Sequence, residues 1–334
     1  MPRRSIHFLI AAFVLTVAVA PARAETGQLN LGVQRGMTYL PFIVMQHEHL
    51  IEQRAAAVGM PGLKVTFNIF SGGPAMTDGL LSESIDVAAT GVPSFLALWA
   101  KGKGKLAIKG LSSYGTLPIT LVTRNPNVHT LADFTDKDRI ATPGVKTSTQ
   151  SIFLRMAAEK MYGLAQVDHF DSITVGRGHP DAMAALLGNT EINSHFAIPP
   201  YLQAELRHPG VHIVATSDEI VGGTVSNGTI FLTIRFAEAN PKVVAALYDA
   251  LKDALALIAR DPTRAAADYL AVSGEHTNRE EIESLIKSPG TIYDIAPHGI
   301  VVMGKFLYRT GMIAVEPNDW KELYLPLVHD EQGS

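Results

Sequence analysis

The residues best suited to chemistry in this sequence lie in short polar loops, each directly after an apolar run that reads as a strand. Three such loops are "SGGPAM" (71–76), "TGVPS" (90–94) and "TPGVKTSTQ" (142–150). A segment of helical period follows each loop, so unpaired backbone N–H groups and a partial positive charge would lie beside the polar residues. The pattern predicts binding of an anion or a polar acceptor.

The small residues of these loops have both a functional and an ordinary structural interpretation. Gly72 and Gly73 would let a backbone approach a ligand closely. Ser148 and Thr149 could cap a helix or donate a hydrogen bond to a ligand. Taken alone, the glycine pair favours a turn with a cap, and no phosphate-loop motif GxxxxGK[ST] occurs in the chain. The inference therefore depends on several loops meeting at one edge of a sheet.

Three charged or titratable residues could contribute to the same site. Arg35 directly follows a strand and precedes a glycine, which fits either a cleft or a surface arginine. Lys146 could face a ligand or be a solvated loop lysine. His195, followed by a phenylalanine, could face the cleft or be a hydrogen-bonded core histidine.

Enzymatic and metal chemistry find little support in the motifs. The chain has no cysteine, no G-x-S-x-G and no H-E-x-x-H sequence. "HEH" (47–49) places two histidines at i and i+2, which do not share a helix face, and His169 and His179 are scattered along the chain. We expect no bound metal, no cofactor and no catalysis. A Ser/His/Asp set assembled in space, or a metal held by distant residues, stays open as an alternative.

The N-terminus reads as a secretory signal peptide. "MPRR" is basic, "SIHFLIAAFVLTVAVA" is an apolar run, and "PARA" supplies the small residues Ala22 and Ala24 before a cleavage site. The alternative, an uncleaved anchor, would need about 20 apolar residues. We therefore expect cleavage after Ala24 and export to a periplasm, with no insertion of the mature chain, 25–334, into the membrane.

Composition restricts the partners. Removal of the three arginines of 1–24 leaves 25 basic against 32 acidic residues, a formal charge of −7, which does not suit a nucleic-acid partner. The lack of cysteine excludes disulfides and an N-terminal lipid anchor on that residue. A mature chain of about 310 residues favours two domains. We expect a monomer that meets a small-molecule ligand.

Apolar β-branched runs alternate with helical patterns along most of the chain. This alternation predicts βαβ units and mostly parallel sheets with helices on both faces. We predict strands at 29–33, 63–70, 85–89, 105–113, 118–124, 138–144, 169–176, 191–196, 211–217 and 229–236. We predict helices at 40–59, 74–82, 93–101, 147–163, 181–188, 200–207, 241–260, 262–271, 279–287, 298–311 and 317–324, so the C-terminal part is helical.

One phrase occurs twice at the same spacing. "LLSESIDVAATGVP" runs from Leu80 to Pro93, and "LLGNTEINSHFAIPP" has the same interval from Leu186 to Pro199. Each copy reads as a helix end, a turn, a strand and a proline that opens the next helix. The repeat indicates two similarly built lobes. If the carboxyl ends of their strands face each other, the loops form a cleft.

The order of short motifs resembles the nitrate/sulfonate/taurine-type family of ABC-importer substrate-binding proteins over nearly the whole mature chain. The residues that carry the resemblance are "LGVQRGMTYLPFIVMQ", "FSGGPAMTDGLLSESIDVAATGVPSFL", "VHTLADFTDKDRIATPG", "HPDAMAALLGNTEI" and "FAEANPKVVAALYDAL". The resemblance implies a two-lobed, type II periplasmic binding protein fold with a helical C-terminal tail. Lobe 1 would be 25–117 plus 222–334 and lobe 2 would be 118–221, with hinge crossings near 117 and 221–223.

The resemblance also implies a function and a set of ligand contacts. A small sulfonate-, taurine- or nitrate-like solute would be captured between the lobes as they close and delivered to a membrane permease, with Arg35 and Lys146 supplying charge. The matching loops carry the expected ligand-binding residues Arg35, Met37, Thr38, Tyr39, Ser71, Gly72, Gly73, Gly91, Val92, Lys146, Thr147, Ser148, Gln150 and His195.

The sequence departs from the family pattern at two places. "FTDKDRIA" replaces a leucine-lysine-glycine-lysine phrase, and "INSHF" stands where Ile-Asp-Ala is usual. The second departure lies beside the expected pocket, so it weakens any transfer of the family's ligand to this chain. A neutral heterocycle such as a pyrimidine, a periplasmic enzyme on the same fold, and a sensor that docks on a receptor stay open as alternatives.

Overall fold

A computed structural model describes residues 25–102, 104, 107–275 and 277–334. The predicted signal peptide, 1–24, lies outside the described residues. Two separate five-stranded sheets, each flanked by helices, form the molecule. Of the helices that this description covers, none combines the length and the apolar character that crossing a bilayer would demand.

The first sheet combines four strands from the N-terminal part of the described chain with one strand that comes after the second sheet. Its spatial order is β2-β1-β3-β10-β4, from β1 (Gln28–Val33), β2 (Lys64–Ile69), β3 (Val87–Thr90), β4 (Ile108–Ser113) and β10 (Thr229–Thr233). β1 pairs in parallel with β2 and with β3, whereas β10 pairs antiparallel with both β3 and β4. Four strands therefore run in one direction, as the sequence predicts, and one runs against them.

The second sheet has the same arrangement. Its order is β7-β6-β8-β5-β9, from β5 (Thr120–Thr123), β6 (Ile140–Thr142), β7 (Thr174–Gly176), β8 (Ser194–Ala197) and β9 (His212–Thr216). β6 pairs in parallel with β7 and β8, and β5 is antiparallel to β8 and β9. In each sheet the antiparallel strand is the one that the chain enters on arriving from the other sheet.

The repeated phrase occupies equivalent places in the two sheets. Its strands are β3 and β8, each beside the antiparallel strand. The side chain of the residue before each strand holds the backbone of the parallel neighbouring strand. Asp86 Oδ2 accepts from the N–H of Asn30 in β1 at 2.8 Å, and Asn193 Oδ1 accepts from the N–H of Arg139, directly before β6, at 3.0 Å. The asparagine in "INSHF" thus makes the same strand contact as Asp86 in the first copy.

Helices cover the faces of both sheets and form the C-terminal part, as predicted. They are α1 (Leu40–His47), α2 (Leu50–Ala57), α3 (Gly73–Leu81), α4 (Val92–Lys101), α5 (Thr149–Tyr162), α6 (His179–Leu187), α7 (Tyr201–Leu206), α8 (Ser217–Val221), α9 (Ile234–Ala239), α10 (Pro241–Arg260), α11 (Pro262–Ser273), α12 (Arg279–Ile286) and α13 (Ile300–Arg309).

Four predicted elements were wrong in part. The single helix over 40–59 is two helices, because His49 adopts a left-handed backbone with φ of 52° between α1 and α2. The segment 169–176 is a 3₁₀ turn followed by the short β7, and 317–324 contains only a 3₁₀ turn at Trp320–Glu322. The strand predicted over 229–236 ends at Thr233, whose side chain accepts from the N–H of Phe236 and caps α9.

Candidate functional site

A cavity lies between the two sheets and is bounded by residues of both. Its empty volume is about 420 Å³, including its opening to solvent. The lining residues are Gln34, Thr38, Tyr39, Gly73, Thr90, Gly91, Tyr114, Ile119, Pro143, Ser148, Thr149, Gln150, His179, Ile198 and Asn227.

Four helices direct their N-termini at this cavity. α3 begins at Gly73, α4 follows Gly91, α5 begins at Thr149 and α6 at His179, and each of these four residues lines the cavity. The first N–H groups of a helix have no partner within it and carry a partial positive charge. The cavity is therefore suited to acceptor oxygens of a bound molecule.

The side chains around the cavity are polar but uncharged. In the described chain every lining side chain is an apolar group, a hydroxyl, an amide or the imidazole of His179. Gln34 Nε2 donates to Tyr39 Oη at 2.7 Å and to Thr90 Oγ1 at 3.0 Å. Burial raises the pKa of the Tyr39 phenol well above its ordinary value, so this group stays neutral. Dipoles alone can orient a ligand here.

One hydroxyl in the lining is not used by the protein. Thr38 Oγ1 is buried, and within the described chain it has no hydrogen-bond partner. A buried hydroxyl without a partner costs about 1–3 kcal/mol. A ligand that bonded to Thr38 would recover part of this cost.

A buried row of titratable side chains runs from lobe 2 to the cavity. Glu205 Oε1 lies 2.5 Å from His195 Nδ1, and His195 Nε2 lies 2.9 Å from His179 Nδ1. His179 Nε2 lies 3.3 Å from Gln150 Nε2, where the row reaches the cavity. Burial raises the pKa of Glu205 and lowers the pKa of His195 and His179, so each group favours its neutral form.

The two lobes touch around the cavity. The Met37 N–H donates to the Pro199 carbonyl at 2.9 Å, and Ser94 Oγ donates to the Thr147 carbonyl at 3.2 Å. A methyl group placed on Gly72 would lie 2.2 Å from the Pro143 carbonyl oxygen. Only a glycine at position 72 permits this approach of the two backbones.

Asn227 joins the two segments by which the chain passes between the sheets. Its Oδ1 accepts from the N–H of Leu117, and its Nδ2 donates to the carbonyl of Leu117 at 3.0 Å. The Asn227 carbonyl accepts from Thr149 Oγ1 at 3.3 Å. One buried amide therefore links both crossings and the start of α5, beside the cavity.

The structure brings six of the predicted ligand-binding residues together in the lining. They come from four loops of both lobes and are Thr38, Tyr39, Gly73, Gly91, Ser148 and Gln150. Ser148 also caps α5, because its Oγ accepts from the N–H of Ser151. The two interpretations of this serine, a cap and a lining residue, therefore hold together.

Arg35 and Lys146 lie outside the lining. Arg35 is exposed, donates from Nη1 to the Ser273 carbonyl at 3.2 Å, and borders an adjoining groove together with Ser71. Lys146 is exposed, and its Nζ lies 3.3 Å from Asp171 Oδ2. Neither Arg35 nor Lys146 therefore places its charge in the cavity itself.

The other predicted residues lie outside the lining, either in the core or at the contact between the lobes. Met37 and Val92 have fully buried side chains in the core, and Gly72 and Thr147 form the contact between the lobes. His195 is fully buried and touches His179, so it does not reach the cavity. Of its two interpretations, the structure shows the hydrogen-bonded core histidine and not a residue that faces the cavity.

Sequence reasoning missed nine lining residues. Two had a usable signal, because Thr149 adjoins Ser148 and His179 opens a helix after the strand that ends at Gly176. Thr90 and Pro143 lie in two of the polar loops that the sequence singled out, at 90–94 and 142–150. The positions of the other five in the lining depend on how the two lobes meet; they are Gln34, Tyr114, Ile119, Ile198 and Asn227.

One cluster has the donor types of a cation site. His47, Glu48 and Asp268 bring ligand atoms within 4.8 Å of one another, away from the cavity. His47 Nδ1 already lies 2.9 Å from Asp268 Oδ1, and Arg264 makes a two-point ion pair with Glu48. Asp268 Oδ2 is buried and has no hydrogen-bond partner within the described chain.

Two five-stranded α/β lobes around a cavity lined by both define the class of two-lobed, type II periplasmic binding proteins. Solved structures agree with this architecture. The alkanesulfonate-binding protein SsuA from Xanthomonas axonopodis pv. citri, bound to MOPS, has a TM-score of 0.69 and 19% identity, over 88% of this chain and 96% of that chain. The periplasmic nitrate-binding protein NrtA from Synechocystis PCC 6803 has a TM-score of 0.63 and 17% identity, over 92% of this chain and 84% of that chain.

The chain belongs to the NMT1-like family, which it matches over residues 22–271. The aliphatic sulphonate binding protein SsuA from Escherichia coli shares the fold with a TM-score of 0.61 and 20% identity, over 89% of this chain and 98% of that chain. A comparison with curated protein sequences gave no match. The resemblance stated from the sequence motifs is thus confirmed in family and in fold.

Proposed function

We propose that this protein is the periplasmic solute-binding component of an ABC importer and captures a small organic or inorganic anion between its lobes. The observation that carries the proposal is the cavity of about 420 Å³ at the N-termini of α3, α4, α5 and α6. Proteins of the same fold are named for binding sulfonates and nitrate. The exported location follows from the predicted signal peptide, with cleavage after Ala24.

The ligand we propose carries no more than a single negative charge. Helix N-termini stabilise an anion by about 0.3–1 kcal/mol each when exposed, and by up to about 2 kcal/mol when partly buried. The lining side chains of the described chain add no countercharge. The same neutrality favours a second candidate, a neutral heterocycle such as a pyrimidine, whose carbonyl groups would meet the same donors.

Of the residues expected from the sequence, we assign ligand contact to those that line the cavity. These are Thr38, Tyr39, Gly73, Gly91, Ser148 and Gln150, joined by Asn227 and His179. Arg35 and Ser71 border the adjoining groove, which shares Gln34 and His179 with the cavity. Their proposed role is at the entrance, where Arg35 attracts an anion before it enters.

Capture proceeds by closure of one lobe on the other. The proposed lobes are 25–117 plus 222–334 and 118–221, with hinges near 117 and 221–223. The Asn227 amide that binds Leu117 would hold the crossings together while the lobes rotate. A ligand that touches both lobes only when they are closed shifts the population towards the closed form.

Binding without catalysis completes the proposal. The Ser148 hydroxyl donates to the Gly144 carbonyl at 2.8 Å and not to His179, so it is not arranged as a nucleophile beside a base. The closed monomer then docks on a membrane permease. A receptor as partner, which makes the protein a sensor, would leave the cavity chemistry unchanged and is distinguished by capture of the membrane partner.

A thermal-shift screen tests the proposal. The probes are ethanesulfonate, taurine, MOPS, nitrate, succinate and uracil, each applied to the wild-type protein and to Gln150→Ala. A bound solute at 100 times its dissociation constant adds about 2.7 kcal/mol to stability. We expect at least one anion to raise the melting temperature of the wild type more than that of the variant.

Two results would contradict this proposal. A screen in which uracil alone stabilises the protein would replace the anion with the neutral heterocycle. Conversion of any bound probe to a product, followed by mass spectrometry, would make the protein an enzyme.

A further inference from the structure

Glu205, His195 and His179 form a buried row that the proposed capture mechanism does not use. Glu205 lies on α7, His195 on β8 and His179 at the start of α6, and only His179 reaches the cavity. Glu205 and His195 have no solvent exposure, and His179 is 5% exposed. Hydrogen bonds within the row therefore satisfy most of its polar atoms, and Glu205 Oε2 alone among them has no partner within the described chain.

The contact between Glu205 and His195 holds a proton. At 2.5 Å, two acceptor atoms without a proton between them would repel each other, so Oε1 and Nδ1 share one. The shared proton then lies either on Glu205, which makes the pair a carboxylic acid and a neutral imidazole, or on His195, which makes it a carboxylate and an imidazolium. Both forms have zero net charge, and in both His195 carries a proton on Nε2.

A second arrangement competes with this one and differs by one proton. A carboxylate on a neutral His195 would give the pair a charge of −1 and would leave Nε2 of His195 as an acceptor. Glu205 Oε2, however, has no hydrogen-bond partner within the described chain. A buried carboxylate with one bare oxygen and no cation is far more costly than a neutral carbonyl oxygen in the same place.

The proton on His195 Nε2 determines the state of His179. The two ring nitrogens lie 2.9 Å apart, so His195 Nε2–H donates and His179 Nδ1 accepts. A neutral His179 that accepts at Nδ1 carries its own proton on Nε2. His179 is not an imidazolium, because burial and the neighbouring His195 lower its pKa well below the ordinary value.

We propose that Glu205 and His195 are positioning residues that fix His179 as a hydrogen-bond donor at Nε2, and that His179 in turn orients the Gln150 amide so that its N–H groups select ligands with an acceptor oxygen. The proposal rests on the cavity of the proposed function and names the chemistry of one of its contacts. The row ends at Gln150 Nε2, 3.3 Å from His179 Nε2. With His179 as donor, the oxygen and nitrogen of the Gln150 amide exchange places, so that Oε1 accepts from His179 Nε2–H and the two N–H groups of Gln150 are left for a ligand.

His179 is also held against rotation, which a specificity residue requires. Its ring stacks on Tyr201, with centroids 6.0 Å apart and planes 12° apart. Tyr201 Oη donates to Glu275 Oε1 at 2.8 Å, so the stacking partner is itself fixed. A sulfonate, carboxylate or carbonyl oxygen satisfies the Gln150 N–H groups oriented in this way, whereas an ammonium or another donor group at this point is rejected.

Nitrogen-15 NMR of the wild-type protein at pH 7 tests the proposal without a ligand. Long-range correlations from the imidazole carbons to the ring nitrogens distinguish a protonated from an unprotonated nitrogen, and correlations through Cβ assign the two rings. We expect His179 with a proton on Nε2 alone. We expect His195 with a proton on Nε2 and either none or a shared proton on Nδ1.

Other spectra would overturn the proposal. A proton on Nδ1 of His179 would mean that the row runs the other way, from Gln150 to an ionised Glu205. A doubly protonated His179 would equally exclude it. Because the spectra are recorded without ligand, they stand apart from the thermal-shift screen, whose failure would refute the proposed function instead.

A titration with ethanesulfonate and with uracil adds the functional readout. Whichever probe binds the wild type should bind His179→Phe about tenfold or more weakly, since the ring shape is retained and the donor is lost. Glu205→Gln should keep the proton on His179 Nε2, because the glutamine amide can donate to His195 Nδ1 in place of the carboxyl. Equal affinity of the wild type and His179→Phe for a bound probe would contradict the selective role.

Discussion

Glu205 and His195 should determine how the stability of this protein depends on pH. Burial raises the pKa of Glu205 from 4.5 to about 9, and lowers that of His195 from 6.5 to about 3. In the folded chain the pair therefore holds one titratable proton from about pH 3 to about pH 9. In the unfolded chain it holds one proton between pH 4.5 and 6.5 and none above pH 6.5, so the folded state binds the additional proton there.

The consequence is a loss of stability above pH 6.5. Stability falls with pH wherever the folded state binds more protons, at about 1.4 kcal/mol per pH unit for one proton. We expect urea denaturation at pH 6.5, 7.5 and 8.5 to show this decline in the wild type and not in Glu205→Gln, which has no carboxyl to ionise. Parallel declines in the two proteins would contradict the assignment of the proton to this pair.

Gln150 and Lys146 provide a second test at the scale of single residues. Gln150 lines the cavity, whereas Lys146 is exposed and paired with Asp171. We expect Gln150→Ala to weaken binding of the solute found in the screen by about tenfold or more, and Lys146→Ala to change it less than about twofold. Calorimetric titration measures the dissociation constant of both variants. A larger loss of affinity in Lys146→Ala than in Gln150→Ala would mean that the charge of Lys146 does contribute to binding.

The sequence predicted the lining residues that lie in loops at the ends of strands, and missed those whose position depends on long-range packing. Thr38, Ser148 and Gln150 lie in polar loops whose chemistry is visible locally. Asn227 and Tyr114 come from the segments that cross between the sheets, and their place in the lining depends on how one lobe rests on the other. No local pattern carries that information.

At the scale of elements, Ser148 shows that a helix cap and a lining residue can be one side chain. Its Oγ accepts from the N–H of Ser151 at 3.2 Å at the start of α5. Loss of such a cap costs about 1 kcal/mol. We expect Ser148→Ala to destabilise the protein by this amount in urea denaturation. The exposed Ser284 inside α12 is the matched control, and Ser284→Ala should change stability by less than about 0.5 kcal/mol.

The alternation of strands and helices was predictable because hydrophobic period reports it directly. The break between α1 and α2 was not, because "LPFIVMQHEHLIEQRAAAVG" has no glycine or proline inside that would mark a stop. His49 takes the left-handed conformation there. Tertiary packing explains the break: α1 packs against α11 and α10, whereas α2 packs mainly against α10, so the two helices follow different partners.

At the scale of the whole molecule, the two sheets have equivalent strand orders. In each sheet the single antiparallel strand is the one that the chain forms when it arrives from the other sheet. The repeat of the sequence phrase at Leu80–Pro93 and Leu186–Pro199 predicted this likeness. The antiparallel placement of β5 and β10 was not predicted, because a strand's direction in a sheet follows from the crossing connections and not from its own residues.

A substitution at Gly72 should block the contact between the two lobes without disturbing the fold of either lobe. Its backbone is extended, with φ of −177°, so alanine fits the conformation of lobe 1. The added methyl group would nevertheless lie 2.2 Å from the Pro143 carbonyl oxygen across the cleft, far inside van der Waals contact. We expect Gly72→Ala to keep full closure from being reached and to weaken solute binding at least tenfold, because the ligand then touches both lobes imperfectly.

Solution scattering with and without the solute found in the screen separates this effect from misfolding. The wild type should become more compact on binding, and Gly72→Ala should not, while both melt within a few degrees of each other without ligand. Gly62→Ala is the matched control, because a methyl group there meets no atom within 4 Å, and it should behave as the wild type. If Gly72→Ala binds and contracts as the wild type does, closure of the lobes at this contact plays no part in capture, and the cavity must be filled by another route.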